Sequence, residues 1–429
     1  MNVLIIGSGG REHAIAKAIR KSKNVTRVFA APGNPGIEQV AECIDVDISS
    51  TFNAIECLRN YDINFVVIGP EQYIAAGLAD ELRLWGCVVF APSQAAAKLE
   101  SSKMFAKQFM KDNNIPTANY VTFSNKELKE ATDYINNING KIVIKADGLA
   151  AGKGVIVTDD KDYAKQSLKD IFDGKFGDAG NNVVIEEFLE GEEASVLAIC
   201  DGERFVCLPP AQDYKRIGEN DTGLNTGGMG AYCPVSIVTP EVLDKIKTKI
   251  IVPTLEGMAA CGHPYIGCLY VGLMIKDGEP KVVEYNCRFG DPETQAVLSI
   301  FEGDLFELLY TAALGDIDFS AYDEKATTGK TACCVIIASE GYPEKFNTGC
   351  IIKGLADINT NDLIVYHSGT KKNMVDLVTS GGRVLGVTGI SHNIKSAAEK
   401  AYTNINKIHF GNIYYRKDIA QKEIERLEK

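Results

Sequence analysis

The segment Val283-Glu284-Tyr285-Asn286-Cys287-Arg288-Phe289-Gly290-Asp291-Pro292-Glu293-Thr294 sets an acid, an amide and a guanidinium at alternate positions. On an extended strand, residues two apart share a face, so Glu284, Asn286 and Arg288 are expected to point one way and Val283, Tyr285 and Cys287 the other. A carboxylate beside an amide oxygen is a hard-donor pair suited to Mg²⁺ held against a triphosphate. Arg288, one step farther, can grip a carboxylate or a phosphoryl group in transfer. A surface strand of alternating polar residues would not call for this combination beside Asp291-Pro292-Glu293.

Four other segments carry chemistry. The run Lys145-Ala146-Asp147-Gly148-Leu149-Ala150-Ala151-Gly152-Lys153-Gly154 superficially resembles a phosphate-binding P-loop. Its glycines are one residue too close, and Gly154 stands where that motif has a metal-binding Ser or Thr. Strand alternation instead puts Val143 and Lys145 on one face, while the glycines let backbone approach phosphates and Lys153 adds charge. A lone lysine in a hairpin is ordinarily just solvated, but the segment 184–193 follows. There an extended linker offers N–H and C=O groups to an adenine edge, Glu193 can accept both ribose hydroxyls, and Glu190 and Glu192 read as exposed acid. The loop Gly7-Ser8-Gly9-Gly10-Arg11-Glu12-His13 joins a strand to a helix whose free N–H groups can receive an anion. Glu12 stands where a dinucleotide fingerprint needs glycine, so phosphate is preferred to NAD, with a plain tight turn as the alternative. Gln212-Asp213-Tyr214-Lys215-Arg216 followed by Asn225-Thr226-Gly227-Gly228-Met229-Gly230-Ala231-Tyr232 supplies charge and hydroxyl and backbone donors. Lying between the nucleotide linker and the metal strand, it is placed to close over substrates.

These side chains need a scaffold. Residues 2–6, 27–30, 65–68 and 88–90 read as buried strands and 11–21, 51–60 and 75–85 as helices, with Ala14, Ile15, Ala18 and Ile19 recurring at the helical period. Such alternation implies a doubly wound parallel sheet. A polar passage at 99–103 ends that domain, and a helix 103–113 stops before Ile115-Pro116. The block 121–193 reads strand, helix, strand, glycine-rich loop, strand, helix, strand, an α+β subdomain of a size suited to a mobile lid. Then come paired strands, a long polar loop 212–232, a helix 239–261, and strands 265–275 and 281–287 joined by a turn at Lys276-Asp277-Gly278. From about 330 onward there are strands, glycine-rich turns and a helix 394–407.

A chain of 429 residues divides into about two to four domains. Its net charge of −12 argues against a nucleic-acid or membrane-surface binder, and its longest apolar runs are strand-sized. Anionic small molecules remain open if local Lys and Arg oppose the global sign. The 12 cysteines are scattered without a C-x-x-C pair, and the five histidines lack ligand spacing, so reduced structural thiols and no zinc are expected. Met1 leads directly into a strand-like run, with no basic leader, which points to the cytoplasm.

Together these segments resemble the ATP-grasp superfamily and, within it, the phosphoribosylamine–glycine ligase family. The resemblance lies at 7–13, Ala31-Pro32-Gly33-Asn34, Gly69-Pro70-Glu71, 145–155, 225–232, 284–295 and Gly381-Gly382-Arg383-Val384-Leu385, and covers essentially the whole chain. It implies an α/β and α+β multidomain fold: an N-terminal doubly wound parallel sheet (1–101), a central ATP-grasp domain (102–325) with a lid at about 120–193, and a small C-terminal α/β domain (326–429). It implies ligation of glycine to 5-phosphoribosylamine through glycyl phosphate, giving glycinamide ribonucleotide, ADP and phosphate. Mg²⁺ (or Mn²⁺) would be the cofactor and ATP the co-substrate. On that reading Lys103, Lys145 and Lys153 hold the triphosphate; Glu186, Glu187, Phe188 and Leu189 the adenine; Glu193 the ribose; Glu284 and Asn286 the metal. Arg288 takes the glycine carboxylate and the transferred phosphoryl group, Gly9, Gly10, Arg11 and Glu12 the sugar phosphate, and Asp213 orients an amine. Lys215, Arg216, Thr226, Gly227 and Asp291 complete the substrate contacts. Implied partners are the two small substrates and, in passing, the amidotransferase that makes the amine, with a monomer or dimer as the assembly. The chain departs from the family pattern at Gln72-Tyr73-Ile74 and Leu224, and no carboxylate lies in 264–276 to assist Glu284. Another ATP-grasp ligase or carboxylase, an NAD-dependent oxidoreductase resting on 7–10, and a nucleotide sensor are the competing readings.

Overall fold

A computed structural model describes residues 1–150, 154–317 and 329–428. Lys153 and the expected domain boundary at 325 lie outside the described residues. The N-terminal domain is a five-stranded parallel sheet in the order Glu42–Cys43, Arg27–Pro32, Asn2–Gly7, Phe65–Ile68, Val88–Phe90. The doubly wound sheet expected from alternation is present. Its edge strand Glu42–Cys43 was not foreseen, because two residues carry no period. The expected helix 75–85 is two short helices, Glu71–Ala75 and Leu78–Leu84, parted by Gly77 at φ +89°, a left-handed conformation that glycine adopts without steric cost.

The lid carries the predicted order of elements. Strands Tyr120–Ser124, Asn182–Glu187, Ile142–Ala146 and Val155–Thr158 form an antiparallel sheet in that spatial order, with helices Leu128–Asn137 and Lys161–Asp170. Ile142, Ile144 and Ala146 join Ala131, Ile135, Ala164, Leu168, Val183 and Ile185 in a core separate from the rest of the molecule. Val143 and Lys145 take the opposite face. The separation matters because a body with its own core can shift as a unit.

Beyond the lid, Phe205–Cys207, Glu192–Gly202, Tyr265–Lys276 and Glu279–Asn286 form a second antiparallel sheet. The last two strands meet at a tight turn with Asp277 and Gly278 both at positive φ, as the turn signal required. Pairing slips between them: Gly272 faces Glu284, Leu273 faces Val282, and Val283 has no partner. This bulge corrects the simple alternation. Tyr285 and Cys287 are buried as expected, but Val283 turns toward the cleft beside Glu284. The helix expected at 239–261 is Pro240–Ile246 and Val252–Ala260 joined by the π-type turn Lys247–Ile251. Pro253 explains the widening, since its ring excludes the carbonyl one turn back and it has no N–H to give.

In the C-terminal sheet the order is Gln212–Asp213, Gly230–Cys233, Thr331–Ser339, Arg383–Ser391, Leu363–His367, with Ile413–Tyr414 pairing on Thr331–Ser339. Two strands from the stretch expected to be a polar loop therefore complete it, and Arg216–Gly218 pairs with Thr222–Asn225 as a hairpin. Among the described residues no helix is long and apolar enough to cross a membrane.

Helix Ile394–Ile405 lies so close to the C-terminal sheet that a Cβ on Gly389 would stand 2.2 Å from Ala397 O and 2.9 Å from Ala401 N. Gly389→Ala is expected to destabilise the protein by about 1–3 kcal/mol, read as a lower urea midpoint. An unchanged midpoint would mean that helix and strand separate at little cost.

Candidate active site

A cleft of about 1250 Å³ opens between the lid sheet, the second antiparallel sheet and the first loop of the N-terminal domain. Glu284, Asn286 and Arg288 all line it, as the strand pattern predicted. Burial opposes the Glu284 charge, but Lys215, Lys145, Lys103 and Arg288 hold its carboxyl below the usual range. Arg288 is gripped from the N-terminal side: Nε lies 3.2 Å from Glu71 Oε2 and Nη2 lies 3.1 Å from Glu100 Oε1. The other Glu100 oxygen accepts the Cys287 N–H at 2.6 Å. Burial raises the Glu100 carboxyl above its ordinary value, with Arg288 opposing. Sequence reasoning took 99–103 for a polar boundary; it is the short helix Lys98–Ser101, with Leu99 and Glu100 buried. A carboxylate one turn before a helix start gives no local sign that it will be buried.

Two lysines converge in the cleft. Lys145 Nζ sits 3.0 Å from Glu186 Oε1 and donates to Val283 O at 3.0 Å; Lys103 Nζ donates to Gly148 O at 3.3 Å. Burial lowers the Lys103 ammonium, with Glu284 opposing. The loop after Ala146 is tied down by Asp147, which accepts from Ser102 Oγ at 3.0 Å and the Met104 N–H at 2.8 Å. Glu186, expected at adenine, is buried, and its carboxylate lies between Lys145 and Lys107, the latter 3.0 Å away. Lys107 escaped the sequence reading because it looks like an ordinary polar position of helix Lys103–Asp112. Glu187 turns to Asn119, and Glu190 pairs with Lys276 at 2.6 Å on the outside. Phe188 lies against Lys141, and both Phe188 and Leu189 border the cleft.

On the far wall Lys215 Nζ sits 2.9 Å from Glu193 Oε2 and 3.6 Å from Glu284 Oε1. Burial works against its charge, yet Glu193, Asp213 and Glu284 raise it well above the lysine value. Asp213 is pushed well above the carboxylate range by burial, with Lys215 opposing and Glu293, Glu193 and Glu284 adding to the rise. Glu293, also absent from the expected set, accepts from Ser195 Oγ at 3.3 Å. Arg216 spends one N–H on Gly223 O, Thr226 Oγ1 bonds to Lys215 O, and Gly227 is held between Tyr342 and Arg383.

A smaller cavity of about 450 Å³ adjoins the cleft, lined by Ser8, Gly9, Gly33, Asn34, Asp291, Ser368, Gly369, Thr370, Ser380 and Arg383. Gly9 and Asp291 border both spaces. Of the expected anion loop, Gly9, Arg11 and Glu12 reach a cavity wall, but Gly10 packs against Gln295 and Ser368. Glu12 caps the Gly9 N–H at 2.6 Å and pairs with Arg11 Nε at 2.5 Å, so its carboxylate is already engaged. Arg383, from the C-terminal domain, meets Asp291 Oδ1 at 3.1 Å and Asp291 O at 2.8 Å. Asn34 donates to both Ser8 O and His367 O, latching the two domains beside this cavity.

Family models match the whole arrangement in order: phosphoribosylglycinamide synthetase N domain at 1–100, ATP-grasp (A) domain at 101–294 and C domain at 332–422. A phosphoribosylamine–glycine ligase of Neisseria meningitidis serogroup B is 47% identical over 429 residues, 99% of this chain and 100% of that protein. The chain belongs to the phosphoribosylglycinamide synthetase family. Its synthetase relatives include one of Escherichia coli O157:H7, 44% identical over 99% of each chain. The crystal structure of phosphoribosylamine–glycine ligase from Thermotoga maritima superposes with TM-score 0.84 at 34% identity, covering 98% of this chain and 100% of that one. The fold alone is shared with the biotin carboxylase domain of Hydrogenobacter thermophilus 2-oxoglutarate carboxylase, solved with MgADP, ADP and bicarbonate. That match has TM-score 0.73 at 14% identity, over 96% and 91% of the two chains.

In this synthetase the partly buried ion pairs between Arg288 and its two acids join separate domains. Glu100→Ala is expected to cost about 1–3 kcal/mol, because the partly buried guanidinium loses one of its two carboxylate partners and keeps Glu71. Combining it with Arg288→Met should recover most of that loss in a denaturation double-mutant cycle; simple additivity would show that the two groups do not interact.

Proposed function

We propose that this protein joins the carboxylate of glycine to the amino group of 5-phosphoribosylamine, with ATP converted to ADP and phosphate and glycinamide ribonucleotide as product. The observation that carries the reading is a large cleft with a smaller polar cavity beside it. Lys103, Lys145, Glu284, Asn286 and Arg288 all line the larger cleft, which shares Ser8, Gly9, Asp291 and Arg383 with the smaller polar cavity. The family relationship and its full-length relatives support the same reaction.

A carboxylate resists attack by an amine until one oxygen becomes a leaving group, so the γ-phosphoryl group passes first to glycine, giving glycyl phosphate. Lys103 and Lys145 neutralise the triphosphate, and Arg288 orients the glycine carboxylate and spreads charge on the phosphoryl group in flight. Lys153 is assigned to the same phosphates on the family resemblance. The backbone of 186–189 borders the adenine and Glu193 the ribose. Ser8, Gly9, Ser368, Thr370 and Arg383 suit the sugar phosphate, with Arg11 and Asp291 at its junction with the cleft. Asp213 orients the amine, Lys215 and Arg216 supply positive charge, and Thr226 and Gly227 shape the wall. The amine nitrogen then forms the C–N bond as the acyl C–O bond breaks, and its proton leaves with the released phosphate.

Glu284 and Asn286 fit a divalent cation: both offer hard oxygen atoms, and Glu284 already faces a cation, the Lys215 ammonium. Mg²⁺ or Mn²⁺ bound there would supply further neutralisation of the triphosphate. The reading extends to a cytoplasmic enzyme, monomeric or dimeric, that receives its unstable amine in passing contact with the amidotransferase that makes it.

ADP should appear only when glycine and freshly generated phosphoribosylamine are both present, and heavy oxygen in the glycine carboxylate should reach the released phosphate. Label wholly retained in the amide product would exclude glycyl phosphate. Glu284→Ala should lower turnover at least about 100-fold with the melting temperature maintained; near-normal turnover would remove the residue from the metal site.

A further inference from the structure

The cleft-facing pair Asp213 and Lys215 is separated by one residue, and alternation sends that residue the other way. Tyr214 is buried on the C-terminal side, 2% exposed, with its ring 4.7 Å from the guanidinium of Arg416. Arg416 itself is wholly buried, although its charge would ordinarily keep it in water. Four of its five N–H donors meet acceptors. Nη1 reaches Arg216 O at 3.0 Å and Asp221 Oδ1 at 2.9 Å, while Nε and Nη2 take the two Asp418 oxygens at 2.8 and 2.6 Å. Further bonds run along the same seam: Tyr414 OH to Ile217 O at 2.7 Å, Asn220 N–H to Asp418 at 2.9 Å, Lys422 to Asp221. The hairpin that follows Lys215 is thus fastened along its length to residues 414–422. Sequence reasoning had this segment closing over substrates; its contacts are those of a fixed wall, whereas the lid opposite has a core of its own.

We propose that Arg416 is a positioning residue: by stacking on Tyr214 and holding the Arg216 carbonyl, it sets Asp213 and Lys215 at the height in the cleft where the acceptor amine must be oriented. The inference rests on the reading of the cleft given above. A guanidinium suits the task because one planar group can stack on a ring and fork to two acceptors at once, which an ammonium cannot do.

The test uses the full chain with Arg416→Lys, which keeps the charge and loses the fork. Three quantities are followed: amide hydrogen exchange across 213–225, the Kd of a non-hydrolysable ATP analogue, and kcat/KM for glycine and for phosphoribosylamine. Exchange at 213–218 should rise at least about tenfold and both kcat/KM values fall at least about tenfold. The nucleotide Kd should stay within about twofold, because Lys103 and Lys145 are held by other elements. Unchanged exchange, or unchanged kcat/KM, overturns the proposal. So does a parallel loss of nucleotide affinity, melting temperature and turnover, which marks a general structural role. If Arg416→Lys does not fold, Asp221→Asn at the half-exposed end of the seam is read the same way, with changes of at least about threefold. A wild-type chain that releases no ADP with both substrates would overturn the ligase reading instead, and the exchange result at 213–218 would still decide the positioning claim.

Discussion

A guanidinium removed from water is costly unless its donors are met, and Arg288 is met from across a domain boundary by Glu71 and Glu100. Much of the site's layout depends on that constraint. The strand Glu279–Asn286 presents Arg288 where the parallel sheet of the N-terminal domain ends, and the two acids follow the fourth strand and the fifth. Because Glu100 is buried and Arg288 only partly exposed, separating the N-terminal domain from the second sheet would leave both short of a partner, at a free-energy cost. The first loop, with Gly9, is therefore held in register with Asp291, and the smaller cavity keeps its place against the cleft.

The same principle organises the rest of the charge. A chain of net charge −12 nevertheless concentrates Lys103, Lys145, Lys215, Arg288 and Arg383 around the cleft and its side cavity. The close contacts of Lys145, Lys215, Arg288 and Arg383 include carboxylates, whereas Lys103 has Glu284 within electrostatic range. Anionic ligands would enter by competing with those acids, so the global sign does not oppose binding. Lid and wall then divide the labour: the lid has an independent core, while the opposite hairpin is fastened to the C-terminal segment through Arg416.

Much of this was legible in advance where the signal is local. The lid's element order followed from apolar periodicity and glycine-rich punctuation, because each element buries its own stripe against a neighbour close in sequence. The orientation of Glu284, Asn286 and Arg288 followed from the pleat. The misses were of a different kind. The bulge at Val283 depends on how the partner strand pairs, Pro253 widened a turn within the helix expected at 239–261, and Gly77 divided another. Strands Gln212–Asp213 and Gly230–Cys233 looked like loop because they are short and the sheet they join is reached only through the distant strand Thr331–Ser339.

By itself, the sequence determined which side chains share a face, where turns must form and which family pattern the chain carries, since these depend on backbone geometry and on neighbours a few residues apart. Tertiary structure alone decided which charges meet. Glu100 with Arg288, Lys107 with Glu186, Arg383 with Asp291 and Arg416 with Tyr214 are pairings between distant segments. The physical reason is that a buried charge is tolerated only beside its partner, and nothing in the local sequence around either residue says which partner the fold will bring.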